Sequence, residues 1–165
     1  MPATYEPIAT TTLGSAAATI SFTSISSAYT DLRVVITGTH DTTDATARLQ
    51  YNSDTSALYS QTQLGGDGAT ASSSTASGLT RISCGFNTFN QTLPSLLTID
   101  VFSYSGSTNK TCLITQSSDK NGSGQVYRSV GLYRSTSAIS SIQLFFTSGN
   151  FNTGTTATLY GILRA

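Results

Sequence analysis

Helix formers are what this sequence has least of: in 165 residues there is one glutamate, Glu6, and there are two lysines, Lys110 and Lys120. Without them a solvent-facing helix has little intrinsic support. Charged residues make up 10% of the chain, against about a quarter in an average globular protein. Eight basic residues balance eight acidic ones. The basic ones, Arg33, Arg48, Arg81, Lys110, Lys120, Arg128, Arg134 and Arg164, are scattered. No cluster can follow a phosphate backbone, which argues against a nucleic-acid partner. No apolar run is long enough to span a bilayer, which argues against a membrane one. The start, Met1-Pro2-Ala3-Thr4-Tyr5, has neither a basic nor an apolar segment of the kind that directs secretion. The expectation is a protein made in a cytoplasm and released only by lysis. Tryptophan is absent, so a sugar platform of the usual tryptophan kind is excluded.

Cysteine is scarce as well. Cys84 and Cys112 fall in different predicted strands, and their spacing rules out a CxxC or Cys/His metal site. They read either as two small buried side chains or as a disulfide formed after release.

Serine and threonine are what the chain has instead, at roughly a third of all positions. Threonine suits strands and serine suits turns. Period-two alternation, which puts one strand face on a core, recurs along the chain. It is clear in Ala18-Thr19-Ile20-Ser21-Phe22, in Leu32-Arg33-Val34-Val35-Ile36, in Ala47-Arg48-Leu49-Gln50-Tyr51 and in Leu97-Thr98-Ile99-Asp100-Val101. It is weaker in Ala57-Leu58-Tyr59-Ser60. Leu79 to Phe86, with Ile82, Cys84 and Phe86 on one face, Cys112-Leu113-Ile114 and Val126 to Tyr133 are further candidates. The strongest are Ile139 to Phe146 and Ala157 to Leu163. About ten strands, with turns roughly every eight to twelve residues, predict one antiparallel β-sandwich or barrel over residues 1–165. The first thirteen residues are either an arm that reaches a partner or an ordinary first strand. The glycine- and serine-rich stretch from Leu64 to Gly78 reads as a long loop.

Chemistry is hard to find. His40, the only histidine, stands in Thr39-His40-Asp41-Thr42-Thr43-Asp44 and reads as part of a polar turn. A histidine–aspartate–serine triad has its constituents here but no nucleophile-elbow pattern. The acids Glu6, Asp31, Asp41, Asp44, Asp54, Asp67, Asp100 and Asp119 sit mostly in predicted turns, where aspartate caps backbone. Asp100, within a strand and out of phase with its apolar neighbours, is expected to face solvent or another subunit. Asp119-Lys120-Asn121-Gly122-Ser123-Gly124 imitates half a calcium loop, but position twelve would be Val130, so a hairpin turn is the better reading. Leu64-Gly65-Gly66-Asp67-Gly68 lacks the lysine of a phosphate-binding loop. Phe86, Phe89, Phe145, Phe146 and Phe151 read as core or subunit contacts, with an aromatic platform for a sugar as the alternative. No catalytic residue, cofactor or metal is expected.

Three stretches carry a resemblance. They are Phe22-Thr23-Ser24-Ile25 leading through Tyr29-Thr30-Asp31-Leu32; Arg48-Leu49-Gln50-Tyr51-Asn52-Ser53-Asp54 continuing to Tyr59-Ser60; and Ala138-Ile139-Ser140-Ser141-Ile142-Gln143-Leu144 with Ser148-Gly149-Asn150-Phe151, Gly154-Thr155 and Leu159-Tyr160-Gly161-Ile162. Together they resemble small structural proteins of tailed-phage particles, as found in viruses of cyanobacteria and other aquatic bacteria. The resemblance implies a jelly-roll-like sandwich, a homotrimer, and a place on the virion as a capsid decoration (cement) protein bound to the major capsid protein. The alternative it carries is a tail-fibre or head-fibre protein that recognises a host surface glycan. Tyr5, Ile8 and Leu13 of the first thirteen residues, and Tyr160 and Ile162 of the last strand, are the candidate partner contacts. The segment from Leu64 to Gly78 is a candidate contact with the shell.

Overall fold

The computed structural model describes residues 5–42, 45–86 and 89–163. Among them the chain forms strands and no helix. In chain order these are β1 (Tyr5–Thr12), β2 (Thr19–Phe22), β3 (Asp31–Gly38), β4 (Arg48–Tyr51), β5 (Tyr59–Gly66) and β6 (Ala71–Leu79). They continue as β7 (Ile82–Ser83), β8 (Ser95–Phe102), β9 (Lys110–Asp119), β10 (Gly124–Tyr133), β11 (Ile142–Phe145) and β12 (Thr156–Ile162).

All pairings are antiparallel, in two sheets. An eight-stranded sheet has the order β1-β12-β3-β8-β9-β10-β5-β6, and a four-stranded sheet the order β2-β11-β4-β7. Alternation dictates which side chains meet between them. Leu32, Val34 and Ile36 of β3, Leu97, Ile99 and Val101 of β8 and Leu159 of β12 point inward from the large sheet. Ile20, Phe22, Leu49, Tyr51, Ile142 and Leu144 meet them from the small one. The result is a jelly-roll-like antiparallel β-sandwich with one continuous core.

The two sheets differ in width, and that difference positions everything that follows. With strands about 4.8 Å apart, eight span roughly 34 Å and four span roughly 14 Å. The small sheet therefore leaves part of the large sheet's inner face to loops, and among the described residues no element covers its outer face.

The ends of the large sheet depart from expectation. The segment from Leu64 to Gly78 is not a loop. β5 runs to Gly66, a tight turn follows, and β6 returns from Ala71 as the edge strand. The turn is closed by Asp67, whose Oδ1 accepts the N–H groups of Ala69 (2.9 Å) and Thr70 (2.6 Å). One of the glycines that suggested a loop has a packing cause: a Cβ on Gly65 would lie 2.2 Å from the Tyr127 ring, so the ring lies directly on the β5 backbone. At the opposite edge, β1 pairs with β12, and Thr10–Thr158 (3.1 Å) and Thr12–Thr156 (3.2 Å) hydroxyl contacts line the seam. Residues 5–12 are thus the first strand of their own domain, not a free arm. The strand expected from Leu79 to Phe86 shrinks to β7; Cys84 is buried as expected, but Phe86 is exposed. The Asp119 to Gly124 stretch is the hairpin turn the sequence predicts. Asn121 (φ 58°) and Gly122 (φ 102°) both take the positive φ that a two-residue hairpin loop requires.

Candidate functional site

His40 lies in the polar segment that follows β3, and its side chain is fully buried. Its ring meets Phe146 edge-on at 4.2 Å between centroids. Nε2 lies 3.1 Å from the Ser148 carbonyl, so it donates there, and Nδ1 accepts from the Thr42 N–H (3.2 Å). Both nitrogens are therefore engaged by two loops, Nδ1 also lying 3.1 Å from the Thr42 hydroxyl, and among the described residues no serine hydroxyl is hydrogen-bonded to the ring. The neighbouring Asp41 accepts the Asn150 N–H (2.9 Å) and the Asn150 side-chain amide (2.6 Å). Asn152 in turn donates to the Thr39 hydroxyl (2.8 Å) and the His40 carbonyl (3.0 Å). This constellation pins the 147–154 loop to the end of β3.

The carboxylates follow the same pattern of holding turns. The Asn150 N–H, then its side-chain amide, keep Asp41 below the ordinary carboxylate range. The Tyr133 hydroxyl (2.6 Å), then Ser56, do so for Asp54. The N–H groups of Thr70 and Ala69 do so for Asp67. A carboxyl whose folded pKa is depressed stabilises the fold above its unfolded pKa, about 4, and loses that contribution as pH falls through the folded value. The expected result is a melting temperature that is flat from pH 7 to about 5 and falls below about 4. Thermal melts across that range check it, and a melting temperature constant down to about pH 2 would refute it. Asp67 and Asp119 also line one open groove of about 460 Å³. The Asp119 carboxylate accepts the N–H of Asn121 (2.7 Å), so both acids brace their own turns.

Other buried polar groups are structural as well. Lys110 is almost fully buried at the start of β9. Its ammonium donates to the Gly106 carbonyl (2.7 Å), the Thr108 carbonyl and the Ser135 carbonyl (3.5 Å), so a cation ties two loops together. Cys84 and Cys112 are buried free thiols. Burial raises both, Cys112 to about 11, so neither is an activated thiolate. Among the described residues no group of His, Cys, Asp and Glu is placed to hold a metal ion.

The candidate partner contacts divide into two groups. Tyr5, Tyr160 and Ile162 come together on the outer face at the β1–β12 edge. Tyr5 pairs with Ile162 in register and stacks on Tyr160 at 4.7 Å. Ile8 and Leu13 are half-buried against the core. Beside the tyrosines Asp100 faces outward and is engaged: its two oxygens take Nε (2.5 Å) and an Nη (2.9 Å) of Arg33. Such a bidentate pair between adjacent strands fixes register.

The remainder of that outer face holds residues the sequence reading did not single out. Register places Leu96 of β8, Leu113 of β9, Val126 and Val130 of β10 and Leu64 of β5 on this face, with Ser117 between Leu96 and Val126 and with Arg128, opposite Leu64, between Val126 and Val130. Leu64 is 61% exposed, Val126 60% and Val130 49%. Phe102 is exposed farther along β8. A shallow groove of about 450 Å³ lies among Leu64, Val126 and Arg128. An uncovered antiparallel sheet face normally alternates to polar residues, so an apolar one marks a contact surface. The available signal was apolar residues on both faces: Leu96 beside Leu97, and Val130 and Leu132 alternating with buried Gly131 and Tyr133.

The inner face at the β5–β6 end is the reverse, a buried surface that is polar. Gln63 pairs with Ser129, and Gln116 pairs with Tyr127, in neighbouring rows of β5, β10 and β9. Gln61 is satisfied, accepting the Ser83 N–H at 2.6 Å. Gln63 Oε1, both amide atoms of Gln116 and the Ser129 hydroxyl have no hydrogen-bond partner. Each such atom costs about 1–3 kcal/mol unless something satisfies it. Above them lies a cleft of about 340 Å³ lined by Gln63, Ser72, Ser73, Ser74, Phe86 and Tyr127.

No family model matches this chain, and no curated protein matches it. Among solved structures it is similar to a galectin of Caenorhabditis elegans, LEC-6, at 12% identity and a TM-score of 0.37, over 94% of this chain and 96% of that one.

Proposed function

We propose that this protein is a structural component of a tailed-phage particle, a capsid decoration protein that binds the assembled shell and stabilises it. The observation that carries the reading is the outer face of the eight-stranded sheet. Among the described residues it has no second layer, and the exposed Leu64, Leu96, Val126 and Val130 gather there around Ser117 and the basic side chain of Arg128. The sequence resemblance supplies the setting. In this reading the β5–β6–β10 half of the face docks on major capsid subunits, and Tyr5, Tyr160 and Ile162 at the other edge join copies into a homotrimer.

The mechanism is mass action: a protein that binds only the assembled shell raises the free energy needed to open it. A rigid sandwich suits that role because little order has to be gained on binding. The test is to strip the protein from particles, add it back, and heat both preparations. Restored protein should raise the temperature at which the shells rupture and release genome. An unchanged rupture temperature, or no rebinding, would overturn the reading.

A further inference from the structure

We propose that the cleft between Phe86, Tyr127 and the serines of β6 is a binding site for a neutral saccharide. It lies on the inner face of the large sheet, opposite the face assigned to the shell, so the two functions stand or fall separately.

The chemistry of the lining selects the ligand class. Among the described residues no charged side chain lines the cleft, so none of them neutralises an anion or a cation there. Phe86 is 54% exposed although it follows the buried Cys84 and Gly85. Its ring stands 6.3 Å from that of Tyr127, tilted by 32°, so two aromatic surfaces border one opening. Tyr127 is held in place because its ring rests on Gly65. Between the rings and β6 the floor is amide and hydroxyl: Gln63 is 3% exposed with an unpartnered Oε1, and Ser72 and Ser74 flank it across the β5–β6 pairing. Gln116, next to Tyr127 in the β9–β10 register, is 0% exposed with both amide atoms unpartnered and lies outside the lining of the cleft.

An apolar ligand would leave the Gln63 amide oxygen unsatisfied. A charged one would find no counter-charge. A pyranose ring meets both demands. Its C–H face stacks on an aromatic ring, and its hydroxyls donate to and accept from amides and serines. The cavity volume falls within the range of about 300–1,000 Å³ typical of small-ligand sites. Opening on one side, it suits a terminal sugar or a short stretch of a chain.

The experiment is a screen of purified protein against an array of immobilised neutral and acidic oligosaccharides, followed by titration calorimetry with the best neutral sugar. At least one neutral saccharide should be retained. Phe86→Ala and Gln63→Ala should each weaken binding roughly tenfold or more, while Val126→Ser on the other face should leave it unchanged. Phe86 is exposed, so its removal should leave the melting temperature near that of the parent, which separates lost binding from lost fold. Retention of no neutral saccharide, retention of acidic ones alone, or equal affinity in Phe86→Ala and Gln63→Ala would overturn the proposal. Shell rebinding by Phe86→Ala should be normal whichever way the saccharide result falls.

Discussion

Replacing Phe151 by alanine should destabilise the protein by about 3–5 kcal/mol. For a chain of this length each kcal/mol moves the melting temperature by about 2–4 °C, so the midpoint should drop by roughly 10 °C. The reason is where the ring sits. Phe151 is fully buried and lies 4.4 Å from the Phe146 ring and 5.7 Å from that of Phe89. Phe146 then contacts His40, so one aromatic cluster runs from the β11–β12 connection to the end of β3. The Phe151 backbone bridges the same regions. It exchanges hydrogen bonds with Ala17 at 2.9 and 3.0 Å, while the preceding Asn150 is held by Asp41. Alanine would open a cavity that strands fixed by these bonds cannot collapse to fill. Urea unfolding of Phe151→Ala beside Phe86→Ala gives the measurement. The exposed Phe86 change should stay within about 0.5 kcal/mol of the parent, and a Phe151→Ala midpoint equal to the parent's would show the cluster to be dispensable.

That cluster also marks where sequence and structure part. Strands with one clean apolar face were legible because burial follows period two: Ile20 and Phe22, Leu32 to Ile36, Leu97 to Val101, Leu159. The β5–β6 hairpin was not. β6 is an exposed edge strand built of Ala, Ser, Thr and Gly, so it has no buried face to announce it, and Gly65 serves a ring from a different strand. The burial of His40 was not legible for a related reason. Its neighbours in sequence are polar, and the residues that bury it, Phe146 and Ser148, arrive from over a hundred positions away. Polar residues at inward positions, Gln63, Gln116 and Ser129, broke the same pattern. They lie under the cleft, the part of the fold where a stability argument gives no reason for amides. The outer apolar area was legible only in part. The last strand showed two apolar faces and pointed to Tyr160 and Ile162, but Leu64 lay inside an expected loop, and Val126 and Val130 were legible only as part of a candidate strand, Val126 to Tyr133.

Carboxylates on the outer face should separate assembly from folding. In the double variant Val126→Glu, Val130→Glu, the new side chains flank Arg128 on the same side of β10, two residues to either side. In the free protein they stay in water beside a guanidinium, so stability should change by no more than about 1 kcal/mol. In a contact that buries this area, Arg128 can compensate one of them and the other remains uncompensated. Breaking charge balance in that way costs about 3–5 kcal/mol, which corresponds to more than about a hundredfold in affinity. Co-sedimentation with stripped shells should therefore find the parent bound and the double variant free, at an unchanged melting temperature. The opposite edge supplies the internal control. Tyr160→Ser leaves the Leu64–Val126–Val130 area intact, so it should reduce self-association in analytical ultracentrifugation while each copy still binds the shell, more weakly because multivalency is lost. Normal shell binding by the double variant would place the docking surface elsewhere on the molecule. The apolar residues of β10 and β5 would then be ordinary exposed side chains, and the uncovered sheet face would carry no argument about what this protein joins.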